Sequence, residues 1–246
     1  MRFSPNRPRA STSPPTTSDA MAPAARNDGH RERLRQKLTL AGGDALHDYE
    51  LLELYLFRSI PRRDVKPIAK ALIARFGDLG GVAAAPVEQL VTIDGVSDRC
   101  AAELKLIQAL SARLAREQVI GRPVISSWAA LVAYCRTAMQ HATTEQFRVL
   151  FLDRKNKVIG DEVLGTGTID HAPVYPREVV KRALANEASA IILVHNHPSG
   201  DATPSRADIE MTRTLIEVCK PFEIVVHDHL VIGRENTASF KTLGLM

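Results

Sequence analysis

Two histidines and an aspartate in the C-terminal half of the chain have the residue types and spacing of a metal site. His195 and His197 follow the apolar run Ile191–Val194, which predicts a strand buried on both faces. Side chains at positions i and i+2 of a strand point to the same side, so the two imidazole rings are expected to converge. The next turn reverses the chain, and a helix starting at Pro204 brings Asp208 back toward them. We therefore predict His195, His197 and Asp208 as metal ligands.

This ligand set indicates a catalytic rather than a structural zinc ion. Two imidazoles and one carboxylate leave the fourth tetrahedral position for water, whose pKa zinc lowers to about 7. Each part of the pattern also has an ordinary structural explanation, because His-x-His pairs occur by chance and Ser205 with Asp208 is also a helix-capping sequence. Their order at one strand-to-helix junction favours the metal site.

Composition restricts the class of protein. The chain has 246 residues, of which 45% are hydrophobic and 24% charged, as is typical of globular proteins. We find no apolar run of about 18 residues, so neither a membrane span nor a membrane partner is expected. Three cysteines without a CxxC pair argue against a disulfide framework and favour a reducing cytoplasm. The net charge of +4 permits nucleic-acid contact but is small for a dedicated nucleic-acid-binding protein.

Changes in composition divide the chain into a tail and two domains. Residues 1–28 are rich in Pro, Ser, Thr and Ala and lack apolar periodicity, which predicts a disordered tail, with Met21 as an alternative start to Met1. Apolar residues at helical spacing predict an all-helical domain at 29–118, and an α/β domain follows at 122–246 after the linker Gly121-Arg122-Pro123. The predicted helices are 32–40, 49–57, 65–76, two within 87–114, 128–139, 176–187 and 204–219, and the predicted strands are 147–153, 158–164, 190–195 and 223–232.

The spacing His195-x-His197, seven residues, Ser205-x-x-Asp208 resembles the signature of the JAMM (MPN-plus) zinc metallopeptidases. More narrowly, His-Asn-His-Pro-Ser-Gly, the Asp228-His229 pair and the helical N-terminal segment resemble the bacterial RadC-like family of the UPF0758 type, over about residues 29–246. The resemblance implies an N-terminal all-helical domain followed by a JAMM/MPN-like, cytidine-deaminase-like layered α/β metallohydrolase domain. It also implies Zn2+ as the cofactor and a peptide or protein substrate, whose amide or isopeptide carbonyl is attacked by zinc-bound water.

The resemblance further implies a role for each site residue. The two histidines and Asp208 become the zinc ligands, and Ser205 donates a hydrogen bond to the tetrahedral oxyanion. The family also needs a glutamate that takes a proton from the water and passes it to the leaving amine. Glu145 lies between the first helix of the domain and its first strand, where the family places this residue, whereas Glu162 lies on the second strand. We predict Glu145 and keep Glu162 as the alternative.

Asp228 and His229 follow the apolar run Ile224–Val226 and have two interpretations. They could orient a metal ligand from behind, or they could form an ordinary structural His–Asp pair. We favour the structural pair.

Residues 90–101 resemble a helix-hairpin-helix module, which binds DNA without reading its sequence by offering backbone N–H groups to phosphate. Here Ser97 replaces the second glycine, and Asp94 and Asp98 add charge that repels phosphate. These departures favour a packing or protein-docking hairpin, with weak non-specific DNA binding through the N-terminal domain as the alternative. A DNA-associated repair or accessory protein with a structural or vestigial metal site is thus the alternative to a zinc metallopeptidase.

Overall fold

Apolar side chains at helical spacing bury one face of each helix in the N-terminal part of the chain. The computed structural model describes residue 1, residues 23–167 and residues 174–246. Fully buried leucines from several helices form one core there, and this confirms the predicted all-helical domain. The helices of this part are α1 (Pro23–Ala41), α2 (Asp48–Ser59), α3 (Lys66–Phe76), α4 (Leu79–Ala84), α5 (Val87–Leu90) and α6 (Asp98–Glu117).

One boundary and one additional helix in this part differ from the sequence-based expectation. Helix α1 begins at Pro23, inside the segment predicted as a disordered tail, while residues 2–22 lie outside the described part and their disorder stays a prediction. Helix α4 was not predicted, because its six residues are too few to show a helical period. It begins where the Asp78 side chain accepts a hydrogen bond from the backbone N–H of Gly81 at 2.6 Å.

The second part of the chain is built on a five-stranded mixed sheet in the order β2-β1-β3-β4-β5. Strand β1 is antiparallel to both β2 and β3, β3 is parallel to β4, and β4 is antiparallel to β5. The predicted α/β fold is confirmed, although the short β5 and α10 after it were not expected. Its elements are α7 (Val124–Met139), β1 (Gln146–Leu152), β2 (Val158–Thr166), α8 (Pro176–Ala185), β3 (Ala190–Asn196), α9 (Arg206–Cys219), β4 (Val225–Ile232), β5 (Thr237–Ser239) and α10 (Phe240–Leu243).

Strand alternation decides which residues of β3 face which helix. Ile192 and Val194 pack with α7 on one face of the sheet, and Ile191 and Leu193 pack with α8 and α9 on the other. Burying each of these side chains stabilises the fold by roughly 1.5–3 kcal/mol relative to exposure. The same alternation places His195 on the side of α9, the helix that carries Asp208.

The predicted linker is hydrogen-bonded to the β1–β2 hairpin. The Gly121 N–H donates to the Val158 carbonyl at 2.8 Å, the Val158 N–H donates to the Arg122 carbonyl at 3.2 Å, and the Val124 N–H donates to the Asn156 carbonyl at 2.9 Å. Gly121 has φ +76°, a left-handed conformation that favours glycine. Helix α7 begins directly after this linker, at Val124. Its dihedral angles are non-helical at Ser127, so the regular helix starts close to the predicted residue 128.

No helix in the described segments is long and apolar enough to cross a bilayer.

Candidate metal centre

His195 and His197 lie at the C-terminal end of the buried strand β3. His195 pairs with Phe147 of β1 and Val231 of β4, and the N–H of His197 still donates to the Ile232 carbonyl at 3.0 Å. Because the two residues are two apart along an extended backbone, their rings point the same way, and their Nε2 atoms are 3.0 Å apart.

Asp208 reaches these nitrogen atoms from the first turn of α9. Its Oδ1 lies 3.4 Å from Nε2 of His195, and its Oδ2 lies 3.4 Å from Nε2 of His197. Ser205 caps the same helix, because its hydroxyl accepts from the Asp208 N–H at 3.1 Å and the Asp208 carboxylate accepts from the Ser205 N–H at 2.7 Å. The capping explanation is therefore correct for Asp208 and is compatible with a metal site, since the cap aims its carboxylate at the histidines.

The turn after β3 fixes the orientation of His197. Its Nδ1 lies 2.7 Å from the Asp201 carbonyl oxygen, and a carbonyl can only accept, so Nδ1 carries the proton. Gly200 makes the tight return possible with φ +93°, and its own N–H donates to the His197 carbonyl at 2.9 Å. The lone pair of the neutral ring is then on Nε2, facing Asp208.

The charges in this cluster favour a bound cation. The hydrogen bond to Asp208 raises the pKa of His197 above its ordinary value of 6.5. Burial raises the pKa of Asp208, but hydrogen bonds from His195 and His197 outweigh it and hold that pKa well below the ordinary range. Two imidazole lone pairs 3.0 Å apart repel each other unless a proton or a metal ion lies between them.

The three donor atoms fit a zinc ion. A tetrahedral zinc ion with bonds of about 2.0–2.1 Å holds its ligand atoms about 3.3 Å apart. The separations here are 3.0, 3.4 and 3.4 Å, and imidazole nitrogen with carboxylate oxygen is a donor set that zinc takes. His195, His197 and Asp208 are thus brought together as a group that can hold a metal.

The two candidate glutamates lie in different environments. Glu145 lines a cavity of about 270 Å³ together with His195 and Asp208. Glu162 lies on β2 and binds Arg182, whose guanidinium donates to its carboxylate at 2.5 and 2.6 Å. This ion pair lowers the pKa of Glu162, with a further hydrogen bond from Asn186. The catalytic assignment of Glu145 stays a prediction, and only Glu145 of the two adjoins the metal ligands.

Asn196, between the two histidines, holds the segment that carries Glu145. Its side-chain oxygen accepts from the Gln146 N–H at 2.9 Å, and its side-chain nitrogen donates to the Thr144 carbonyl at 3.1 Å. These bonds bracket Glu145 and tie it to β3. This role was not predicted from the sequence, because the partners of Asn196 are about fifty positions away from it.

The ring of His229 contacts the candidate ligand His195, not Asp228. Its Nε2 lies 2.8 Å from Nδ1 of His195, and its Nδ1 lies 2.6 Å from the hydroxyl of Thr212. The Asp228 carboxylate instead accepts from the backbone N–H of His229 at 2.7 Å and from the Ser239 hydroxyl at 2.6 Å. The favoured interpretation as a structural His–Asp pair is therefore wrong, since the two side chains have different partners.

Local contacts account for two residues of the N-terminal hairpin that depart from the DNA-binding pattern. Ser97 caps α6 by accepting from the Cys100 N–H at 3.3 Å, and Gly95 makes the turn with φ +88°. The Arg63 guanidinium lies 3.5 Å from the exposed carboxylate of Asp94. A cation thus lies beside Asp94, one of the two carboxylates expected to repel phosphate at this turn.

Two family models match the chain. One, described as RadC-like JAB domain, matches residues 125–245, and the other, described as UPF0758 N-terminal, matches residues 27–102. The first segment contains the sheet and all three candidate ligands, and the second contains most of the helical part. Together the two segments span most of the chain.

Proposed function

The chain belongs to the RadC-like family, and from this membership and the metal centre we propose that it is a zinc-dependent metallohydrolase of the JAMM type, acting on an amide or isopeptide bond. The observation that carries the proposal is the convergence of His195, His197 and Asp208 beside a cavity that Glu145 also lines. A structural metal site would be closed by a fourth protein ligand, and this one adjoins open space instead.

His195 and His197 would hold the zinc ion through Nε2, and Asp208 would hold it through its carboxylate. A bound zinc ion supplies a Lewis acid that polarises the substrate carbonyl and lowers the pKa of water. The protein contributes the orientation of all three ligands, through the strand end, the turn carbonyl of Asp201 and the helix cap.

Glu145 is the residue that we propose moves the proton. It accepts a proton from the attacking water and returns it to the leaving amine, as an amide requires because its nitrogen leaves only when protonated. The Asn196 side chain holds the backbone on both sides of Glu145, so that the carboxylate stays beside the ligands.

Ser205 is the residue that we propose stabilises the oxyanion of the substrate. Its oxygen already accepts from the Asp208 N–H, so its own proton is available to donate. The hydroxyl therefore combines a helix cap with a donor fixed near the ligands, the arrangement that favours developing negative charge.

The walls of the cavity indicate which substrates we propose it accepts. Phe147, Val174 and Met211 supply an apolar wall, and Glu145 and Glu210 add carboxylates. An apolar side chain next to the scissile bond fits this lining, whereas an acidic one would meet like charges. We propose a peptide or protein substrate of this kind.

The test compares the two glutamates. Wild type, Glu145→Gln and Glu162→Gln are reconstituted with zinc, assayed for metal by elemental mass spectrometry and incubated with a library of internally quenched peptides and isopeptides. We expect about one zinc per chain in all three, and a loss of roughly 100-fold or more in kcat for Glu145→Gln alone. Activity that survives in Glu145→Gln but not in Glu162→Gln would contradict the assignment, and a wild type that binds no zinc would contradict the function.

We also propose weak, non-specific DNA binding by the N-terminal hairpin. The observation that favours it is Arg63, which lies beside Asp94 and close to Gly95 at the turn, with Lys66 following at the start of α3. Phosphate contact by this group would serve to tether the hydrolase domain near DNA.

A further inference from the structure

His229 is a polar side chain in a position where an apolar one would pack. It is almost completely buried on β4, and its ring stacks on Phe240 with centroids 4.6 Å apart. The Phe147 ring is inclined to it by 77°, with its centroid 5.9 Å away. Burying an imidazole costs stability unless both ring nitrogens have hydrogen-bond partners. Both nitrogens have one here, and one of these partners is the ligand His195.

The hydrogen bond between Thr212 and the Asp208 carbonyl fixes the direction of the other two hydrogen bonds. The hydroxyl of Thr212 lies 2.6 Å from the backbone carbonyl oxygen of Asp208, which has no proton, so the hydroxyl donates to it. A hydroxyl has one proton, and Thr212 must therefore accept from Nδ1 of His229 at 2.6 Å.

The tautomer of His229 in turn fixes that of His195. His229 is buried against Phe147 and Phe240, and its ring nitrogens contact the Thr212 hydroxyl and the His195 ring rather than a carboxylate, so the ring is neutral and carries only the Nδ1 proton. Nε2 of His229 then holds a lone pair, and it accepts from Nδ1 of His195 at 2.8 Å. The proton of His195 is thus on Nδ1, and its Nε2 lone pair faces Asp208.

We propose that His229 and Thr212 are positioning residues that hold His195 in the tautomer whose Nε2 binds the metal. We call the three side chains the Thr212–His229–His195 relay. This inference rests on the proposed metal site and adds the residues that orient one of its ligands. His197 is oriented by the backbone carbonyl of Asp201, which no substitution removes. His195 depends instead on two side chains from α9 and β4.

The tautomers that the relay predicts can be measured directly in protein without zinc. In metal-free protein at mildly alkaline pH, long-range proton–nitrogen NMR spectra of the imidazole rings report which ring nitrogen carries the proton. We expect Nδ1–H for His229 and for His195 in the wild type. A wild-type His195 with its proton on Nε2 would overturn the proposal.

The second reading is zinc affinity, measured by competition with a chromophoric chelator. Thr212→Val keeps the shape of the side chain but removes the acceptor for His229, and we expect zinc affinity to fall by about 10-fold to 100-fold. Thr212→Ser restores the hydroxyl, and we expect affinity within about twofold of wild type. His229→Phe keeps the stacking on Phe240 but removes the acceptor for His195, so it should weaken zinc like Thr212→Val.

Ile232→Val is the matched control for a general loss of stability. Ile232 lies on the same strand as His229, but its side chain packs on the opposite face with α7. We expect this variant to lower Tm and leave zinc affinity unchanged. If Thr212→Val and His229→Phe bind zinc as tightly as the wild type, the relay is refuted. If the wild type binds no zinc although the NMR tautomers are as expected, the proposed function has failed at the metal, and with it the role given to the relay.

Discussion

Replacing Asp208 by asparagine separates the metal site from the helix cap that shares its carboxylate. The asparagine side chain keeps an oxygen that can accept from the Ser205 N–H, as Oδ2 does now at 2.7 Å. The two carboxylate oxygens of Asp208 each lie 3.4 Å from one imidazole nitrogen. In asparagine the negative charge is lost, and an NH2 group replaces one of these oxygens. The fold of α9 should therefore survive, and the response to zinc should not.

The effect on metal-free protein follows from the direction of the pKa shifts. Since folding lowers the pKa of Asp208, its ionised form stabilises the native state at pH values above the ordinary range for aspartate, and this contribution is lost as the pH falls. The hydrogen bonds to Asp208 come from protonated imidazole, so they are present below the raised pKa of His197 and lost above it. Hydrogen bonds to charged groups are worth roughly 1.5–3 kcal/mol, so below that pKa Asp208→Asn should lower the free energy of unfolding by about that amount.

Zinc binding should change the free energy of unfolding by more than the substitution changes it in metal-free protein. A metal at about 1,000 times its Kd stabilises the native state by about 4 kcal/mol, which corresponds to a rise in Tm of roughly 8–16 °C for a chain of this size. If loss of the charged ligand weakens binding by about 1,000-fold, the same zinc concentration stabilises the variant by only about 0.4 kcal/mol. Its Tm should rise by no more than about 2 °C.

The assay is thermal unfolding followed by circular dichroism, with zinc and with a chelator. Asp201→Asn is the matched control, because Asp201 is an exposed carboxylate in the same turn whose side chain binds Thr203 and no histidine. That control should show the full zinc shift. A wild-type zinc shift in Asp208→Asn would refute the assignment of Asp208 as a ligand.

Three further predictions concern the same residues and the hairpin. The hydrogen bond to Asp208 raises the pKa of His197, and below that pKa zinc must displace a proton from the ring. Zinc affinity should therefore fall about tenfold for each unit by which the pH drops below this pKa, and be constant above it. A competition titration across pH measures this, and constant affinity in acid would contradict it. Ser205→Ala should lower stability by about 1 kcal/mol through loss of the cap but retain the zinc-induced rise in Tm, since Ser205 is not a ligand; loss of that rise in thermal melts would contradict the assignment. If Arg63 and Lys66 contact phosphate, DNA affinity should fall with salt, and Lys66→Ala should reduce the slope of log K against log salt by about 1; fluorescence anisotropy measures it, and an unchanged slope would remove Lys66 from the interface.

The candidate ligands could be predicted because their placement depends on local geometry. His195 and His197 share a side of one strand, and the Ser205–Asp208 cap is made within one helical turn. Local rules also explain the order of helices and strands, since each long element shows its own period. Short elements such as α4 have no period to detect and were missed.

Contacts between distant segments could not be predicted in the same way. Sequence order left Glu145 and Glu162 as alternatives, and only the pairing of β1 with β3 and the ion pair of Glu162 with Arg182 place them in different surroundings. The Asp228-His229 pair suggested a local contact, but the ring of His229 turns to His195 on the neighbouring strand.

The types and spacing of two imidazoles, a carboxylate and a capping serine were enough to predict the candidate metal centre. Strand alternation and helix capping act over a few residues, so these groups converge wherever a strand is followed by such a helix. The residues that orient these groups could be identified only from the tertiary structure. Asn196 reaches the segment around Glu145, and the relay joins α9, β4 and β3, because side chains far apart in sequence meet only when the helix packs on the sheet.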